Sequence, residues 1–505
     1  MRLSAPSTRD NIVTALADIE RIAASVGLTL ARNNCEVIVS DSFVPRAREI
    51  FGALGVDMIA GGSAWTLLGV PCGGLPHARA FVADVATRAT AKAALIACVP
   101  DTAVASAMLR FCAGFPLAAY YARAVGASAR VQFAALDAGA MAAWETTNFP
   151  LPDEAQALAR LPARHGGLGL LSAAAHCGIA FAAASVSSAA LLPRLIPASA
   201  HVLAQPDPRL VDDATVSLFP PVASEVARYL EAATPIVNAQ KMLSKLLSAA
   251  QATVLLANVG DEAAARMLSA AAPHANAWLS PLPGAPDPAW LSPAEHDVAI
   301  RLRLGLPIAE APSLCGNCGR TWADVHGRHA LACMHGPNRW AVHNAVRDAV
   351  YFAAGAALWA PVREPMLDSA ADRADVLFRV RAPGGAVHRI VVDVAVVSDH
   401  AHMEAALRSP GGAATEYEEV KRARYGAAAD RAGATLVPLI VDTNGAWGAS
   451  SLPLFRQLAG ALARRDDMGF GRALSLLMAE MSARLMRGIA ACVLRTHSAP
   501  RACLV

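Results

Sequence analysis

Ile390-Val-Val-Asp-Val-Ala-Val-Val397 is the stretch on which the reading of this chain turns. Its β-branched residues stiffen the backbone into a strand, and a continuous apolar run suits a strand buried on both faces. Its one charge, Asp393, would be expensive to bury unless it is paired or metal-bound. Upstream, Val376–Val380 reads as a second strand, and Pro383-Gly384-Gly385 as the turn between them. Such a hairpin would set Asp375, at the opening of its strand, beside Asp393. Leu358–Val362, with Glu364 just after it, and Leu436–Val441 read as further strands. Helices are expected over about 339–355 and 403–431, the second interrupted at Pro410-Gly411-Gly412. Lys421 and Tyr425 are four residues apart and would share a helix face.

Carboxylates on adjacent strands, backed by a lysine, are what metal-dependent nucleases of the PD-(D/E)xK type need. Their oxygens hold hard cations such as Mg²⁺ or Mn²⁺, which activate water and neutralise charge on the phosphate. The usual lysine two residues after the second acid is replaced by Ala395. Lys421 on the following helix is the expected substitute. It is one of four lysines in an arginine-rich chain.

A second cluster lies just upstream: Cys315-Gly-Asn-Cys318, then His326, His329, Cys333 and His335. Two cysteines separated by two residues can grip one metal from a tight turn, and a later His and Cys complete a tetrahedral zinc site. His329 is preferred as third ligand, with His326 as the alternative. A closed four-ligand site makes this zinc structural.

The rest of the chain sets the frame. It has 505 residues, is 55% hydrophobic and only 5% aromatic, which implies helices packed through small side chains. A net charge of +3 makes no global case for nucleic-acid binding. Its ten cysteines, dispersed apart from that cluster, and its polar first residues suggest a reducing compartment, nuclear or cytoplasmic, and not a secreted protein. Residues 10–30 have helical spacing, stopped at Gly27. Leu28–Ser40 reads as two short strands around Arg32-Asn33-Asn34. From 76 to 300 the pattern is helical, with Pro281–Pro288 as the linker candidate. The uncharged stretch Gly166–Pro193 is expected to be a buried helix and not a membrane span.

The order of these features resembles the C-terminal half of non-LTR retrotransposon polyproteins that carry a restriction-like endonuclease. The matching pieces are Cys315/Cys318/His329/Cys333, Val342-His343-Asn344 with Arg347, Arg363-Glu364-Pro365, Arg373-Ala374-Asp375, Val392-Asp393 and Lys421-x-x-x-Tyr425. Ala374 and Val342 stand where the family has proline and arginine. Upstream, Gly27–Leu30, Cys35-Glu36-Val37 and Leu67–Pro71 resemble the last palm segments of a reverse transcriptase. Arg164–Leu170 resembles a segment of the thumb.

The resemblance implies an α+β multidomain chain. Its parts would be a palm remnant (1–75), a helical thumb and linker region (76–305), a zinc knuckle (306–338), a restriction-like endonuclease domain (339–445) and a helical C-terminal tail (446–505). It implies a nick in target DNA that primes reverse transcription. Asp375 and Asp393 would hold Mg²⁺ or Mn²⁺, Glu364 would support them, Lys421 would stabilise the phosphate transition state and Tyr425 would position it. Arg339, Arg347 and Arg422 would contact phosphates. No Tyr-x-Asp-Asp motif occurs, so the expected chain is a truncated or split product that does not polymerise DNA alone. Its expected partners are target DNA, element RNA and an upstream polymerase chain, with no membrane.

Overall fold

The structure, a computed structural model, describes residues 6–56, 58–189, 219–230, 237–280, 290–333, 335, 338–367, 373–381 and 385–497. It is mixed α+β, largely helical with small sheets. The chain forms two compact units, Met1–Ala91 with Leu117–Gly139 and Ser172–Ser244, and Lys92–Pro116 with Ala140–Leu171 and Lys245–Val505. The expected linker Pro281–Pro288 lies outside the described residues.

In the first unit, helix Pro6–Ser25 closes at Gly27, whose φ is 76°, and Leu28 N donates back to Ala23 O. Strands β1 (Glu36–Val39) and β2 (Met58–Gly61) pair in parallel, with helix Val44–Gly52 between them in the chain. Strands β3 (Ala64–Leu67) and β4 (Val70–Gly73) form an antiparallel hairpin. The core under β1 is small: Val39, Ala47, Phe51 and Val56. Of the two strands expected in Leu28–Ser40, only the second forms. Arg32 explains the difference: it bonds Glu20 Oε2 at 2.6 Å and Leu54 O at 2.8 Å, which holds Arg32–Asn34 in a 3-10 turn. Within Gly166–Pro193, residues 166–189 are described; they include helix Ala173–Ala189, on which Ala173, Cys177, Ile179, Ala180 and Ala182 are fully buried.

The second unit holds a four-stranded sheet in the order β10-β9-β8-β7. Strands β7 (Val362–Arg363), β8 (Val376–Arg381) and β9 (Val387–Val397) run antiparallel in turn, and β10 (Thr435–Asp442) lies parallel to β9. The β8–β9 hairpin is as expected, while turn residues Pro383 and Gly384 lie outside the described residues. Side chains alternate along a strand. Val392 and Val394 face a core built with helices Asn338–Ala356, Ser451–Arg465 and Phe470–His497. Val397 faces the other way, onto Ala414 and Tyr417 of helix Gly412–Arg431. Asp393 has the parity of Val397, which aims it at the helix that carries Lys421. Pro438 is tolerated opposite Asp393 because β10 is an edge strand.

Of the expected strand Leu358–Val362, only Val362 lies in a strand, at the start of β7. Helix Asn338–Ala356 ends in a turn with Leu358 and Ala360 left-handed, at φ 61° and 43°, and Trp359 packs on Phe378. The C-terminal segment is helical as expected, and it packs into the core: Leu477, Met481, Leu485 and Ile489 of Phe470–His497 are buried in the same cluster as Val346 and Val350. The interruption at Pro410-Gly411-Gly412 is real and has a steric cause. Gly411 is left-handed at φ 79°, and a Cβ on Gly412 would lie 1.9 Å from Ala405 O.

Candidate functional site

The Cys/His cluster closes around one point. Hairpin β5 (Ser313–Leu314) and β6 (Trp322–Ala323) presents the first two cysteines. Cys315 N donates to Thr321 O at 2.9 Å and Gly319 N to Cys315 O at 2.8 Å, with Gly319 left-handed at φ 60°. Short helix Arg328–Ala332 supplies His329, and Cys333 follows. The four donor atoms of Cys315, Cys318, His329 and Cys333 lie within 4.8 Å of one another. Cys315 Sγ is 4.0 Å from Cys333 Sγ, and Cys318 Sγ is 3.6 Å from His329 Nε2. A tetrahedral zinc with Zn–S of about 2.3 Å places its ligands roughly 3.5–3.8 Å apart. The donor set and its spacing therefore fit a metal such as zinc.

Backbone N–H groups of Arg320 and Thr321 hold the Cys318 thiol down at about 6, the thiolate side that a metal ligand needs. Burial pushes the Cys333 thiol up. Between the two candidate histidines the geometry selects His329. His326 is not among the clustered donors; it lines a cavity with Arg266 and Asp399 that His329 also borders. Of His335, the backbone carbonyl alone meets the cluster, accepting from Cys333 Sγ at 3.6 Å. The sequence reading passed over Asp324. Its carboxylate accepts from His326 N at 2.9 Å, Arg328 N at 3.2 Å and His329 N at 2.8 Å, and so fixes the turn that aims His329. An Asp three to five residues ahead of a ligand on a short helix is the signal that could have found it.

The second site is a cleft of about 590 Å³ between the sheet, helix Asn338–Ala356 and helix Gly412–Arg431. Register sets the two acids side by side. Asp375 N donates to Val392 O at 3.2 Å, and Asp375 Oδ2 accepts from Val394 N at 2.7 Å. Asp393 is 4% exposed. Lys421 Nζ lies 2.5 Å from Asp393 Oδ2, in an ion pair without an aligned hydrogen bond. Tyr425 and Tyr417 stand four residues either side of Lys421, with ring centroids 5.7 and 5.9 Å from Nζ. Burial pushes the Asp393 carboxyl above the usual range, and the Lys421 charge offsets part of that. Burial, reinforced by the Asp393 charge, likewise raises Tyr425.

His343 completes the floor. Its Nε2 is 3.2 Å from Asp375 Oδ2. Burial would lower its basicity, but the Asp375 carboxylate and the Asn344 side chain outweigh that, and the net shift is upward. Glu364 is the outlying acid. Its φ is 48°, its N donates to Asp375 O at 2.8 Å, and its carboxylate is gripped by Arg347 at 2.9 Å and by Arg373. It lines the cleft with Asp375 and Asp393, neutralised by two guanidinium groups.

The three arginines expected to contact phosphate are placed differently. Arg347 lines the cleft but is committed to Asp348 and Glu364. Arg422 braces the 1%-exposed Glu418 at 3.1 Å and pairs with Glu419 and Ser450, outside the cleft lining. Physically, a guanidinium one turn along from a buried carboxylate is drawn to that charge. Its neighbour Arg424 lines the cleft instead, and lies over the Tyr425 ring with no ion-pair partner among the described residues. The side chain of Arg339 lies outside the described residues.

The chain matches no protein-family model and no curated protein.

Proposed function

We propose that the second unit is a metal-dependent DNA endonuclease of the restriction-like type, joined to a structural zinc knuckle and derived from a non-LTR retrotransposon. One observation carries the reading: Asp375, Asp393 and Lys421, far apart in sequence, meet in one cleft with Lys421 Nζ 2.5 Å from Asp393. Asp375 stands just ahead of β8 and Asp393 within the adjacent β9. Asp375 and Asp393 would hold Mg²⁺ or Mn²⁺. They fit such an ion, because both are hard oxygen donors that line one cleft. When bound, the cation supplies charge neutralisation and a more acidic water.

The protein's own groups do the rest. His343 and Val394 N hold Asp375 Oδ2 and orient that carboxylate. Lys421, fixed between two tyrosine rings, keeps a positive charge where charge builds on the phosphate. Glu364 supports the loop at Asp375. Arg424 offers a phosphate contact. The nick would leave a 3′-hydroxyl to prime reverse transcription of element RNA, in the compartment that holds the target DNA.

A plasmid-nicking assay on the full zinc-loaded chain tests this. Wild type should convert supercoiled to open-circular DNA in Mg²⁺ or Mn²⁺, and Asp393→Asn should lose about 100-fold or more of that rate. A second reading, a nucleic-acid-binding relic without turnover, is favoured by the neutralised Glu364 and by Ala374 ahead of Asp375. Folded, zinc-loaded protein that does not nick would select it.

A further inference from the structure

Trp340 sits on the first turns of helix Asn338–Ala356 and is 70% exposed. It lines the same cleft as Asp375, Asp393 and Lys421. Its ring meets His343 edge-on, with centroids 6.4 Å apart, and His343 in turn bonds Asp375. Leaving an indole in water forgoes a large apolar gain, so an exposed tryptophan in a concave, charged site suggests a ligand with a flat face. The groups around it suit a polyanion. Arg424 lines the cleft without an ion-pair partner among the described residues. Tyr417 and Tyr425 line the cleft too, with Arg424 4.9 Å over the Tyr425 ring. Aromatic rings interleaved with guanidinium groups are how proteins hold single strands. A paired duplex offers edges and phosphates; only an unpaired base offers a face.

We propose that Trp340 is a stacking platform for an unpaired base, so that the cleft takes DNA opened beside the bond to be cut. The claim about cutting rests on the endonuclease reading; the claim about binding does not.

The test is anisotropy with the full zinc-loaded chain, free of Mg²⁺ and Mn²⁺, on three labelled DNAs of one sequence: a single strand, a duplex with an unpaired bubble, and a full duplex. Wild type should bind the first two roughly tenfold tighter than the third. Trp340→Ala should weaken those two by roughly 5- to 100-fold and leave the duplex unchanged, while Trp340→Phe keeps most of the affinity. Because Trp340 is exposed, the variant should fold, with an unchanged circular dichroism spectrum. Equal loss on all three DNAs, no loss, or a wild-type preference for the full duplex overturns the platform. A platform that passes this test in a protein that nicks nothing would overturn the endonuclease reading alone.

Discussion

Lys421 Nζ and Asp393 Oδ2 are 2.5 Å apart, one from helix Gly412–Arg431 and one from the middle of β9, with side chains 15% and 5% exposed. Two largely desolvated charges make this contact asymmetric: each is tolerable only because the other is present.

Lys421→Met should therefore destabilise the fold by about 3–5 kcal/mol, since it strands the Asp393 charge. Asp393→Asn in that background should recover much of the loss. Urea unfolding of the four proteins of the cycle measures it, and additive effects would mean that the pair is not coupled.

Asp442, at the end of β10, is fully buried, and burial together with the Asp399 charge pushes its carboxyl up to about 7. A raised folded value means that its stability contribution is fully present below about pH 4 and is lost as the pH rises to about 7. Asp442→Asn keeps an oxygen for Asn444 N and Ala446 N, both at 2.9 Å. The variant should thus gain on wild type across that window, by on the order of 4 kcal/mol at pH 8. A stability difference that stays flat from pH 4 to 8 would sink the assignment.

For the knuckle, metal analysis should find one zinc per chain in wild type and in His326→Ala, and none in His329→Ala or Cys318→Ser. Asp324→Ala should bind zinc about 10- to 100-fold more weakly, because Asp324 aims His329 without ligating. Asp324→Asn, which can still accept a backbone hydrogen bond, should recover part of that affinity. Zinc retained by His329→Ala and lost by His326→Ala would reverse the choice of ligand.

Arg422 and Arg424 should separate cleanly. Arg422→Ala should cost about 1–3 kcal/mol of stability by exposing the Glu418 network, with DNA binding unchanged. Arg424→Ala should leave stability alone and lower the slope of log affinity against log salt by about one. The opposite pattern would restore Arg422 as the phosphate contact.

Much of this site was legible as local pattern. The valine run around Asp393, the helix holding Lys421 and Tyr425 on one face, and the spacing of Cys315, Cys318, His329 and Cys333 all follow from periodicity and ligand reach, which depend on neighbours in sequence. Strand parity alone already obliges Asp393 to face opposite Val392 and Val394. The remainder was a choice among residues that look alike in sequence. His329 and not His326 among the clustered donors, Arg424 and not Arg422 on the cleft wall, His343 against Asp375, and the turn ahead of β7 were all decided by tertiary packing. In each case the decision turns on which charge or ring a side chain can reach once the chain is closed, and on what burial then costs it, neither of which is a property of the nearby sequence.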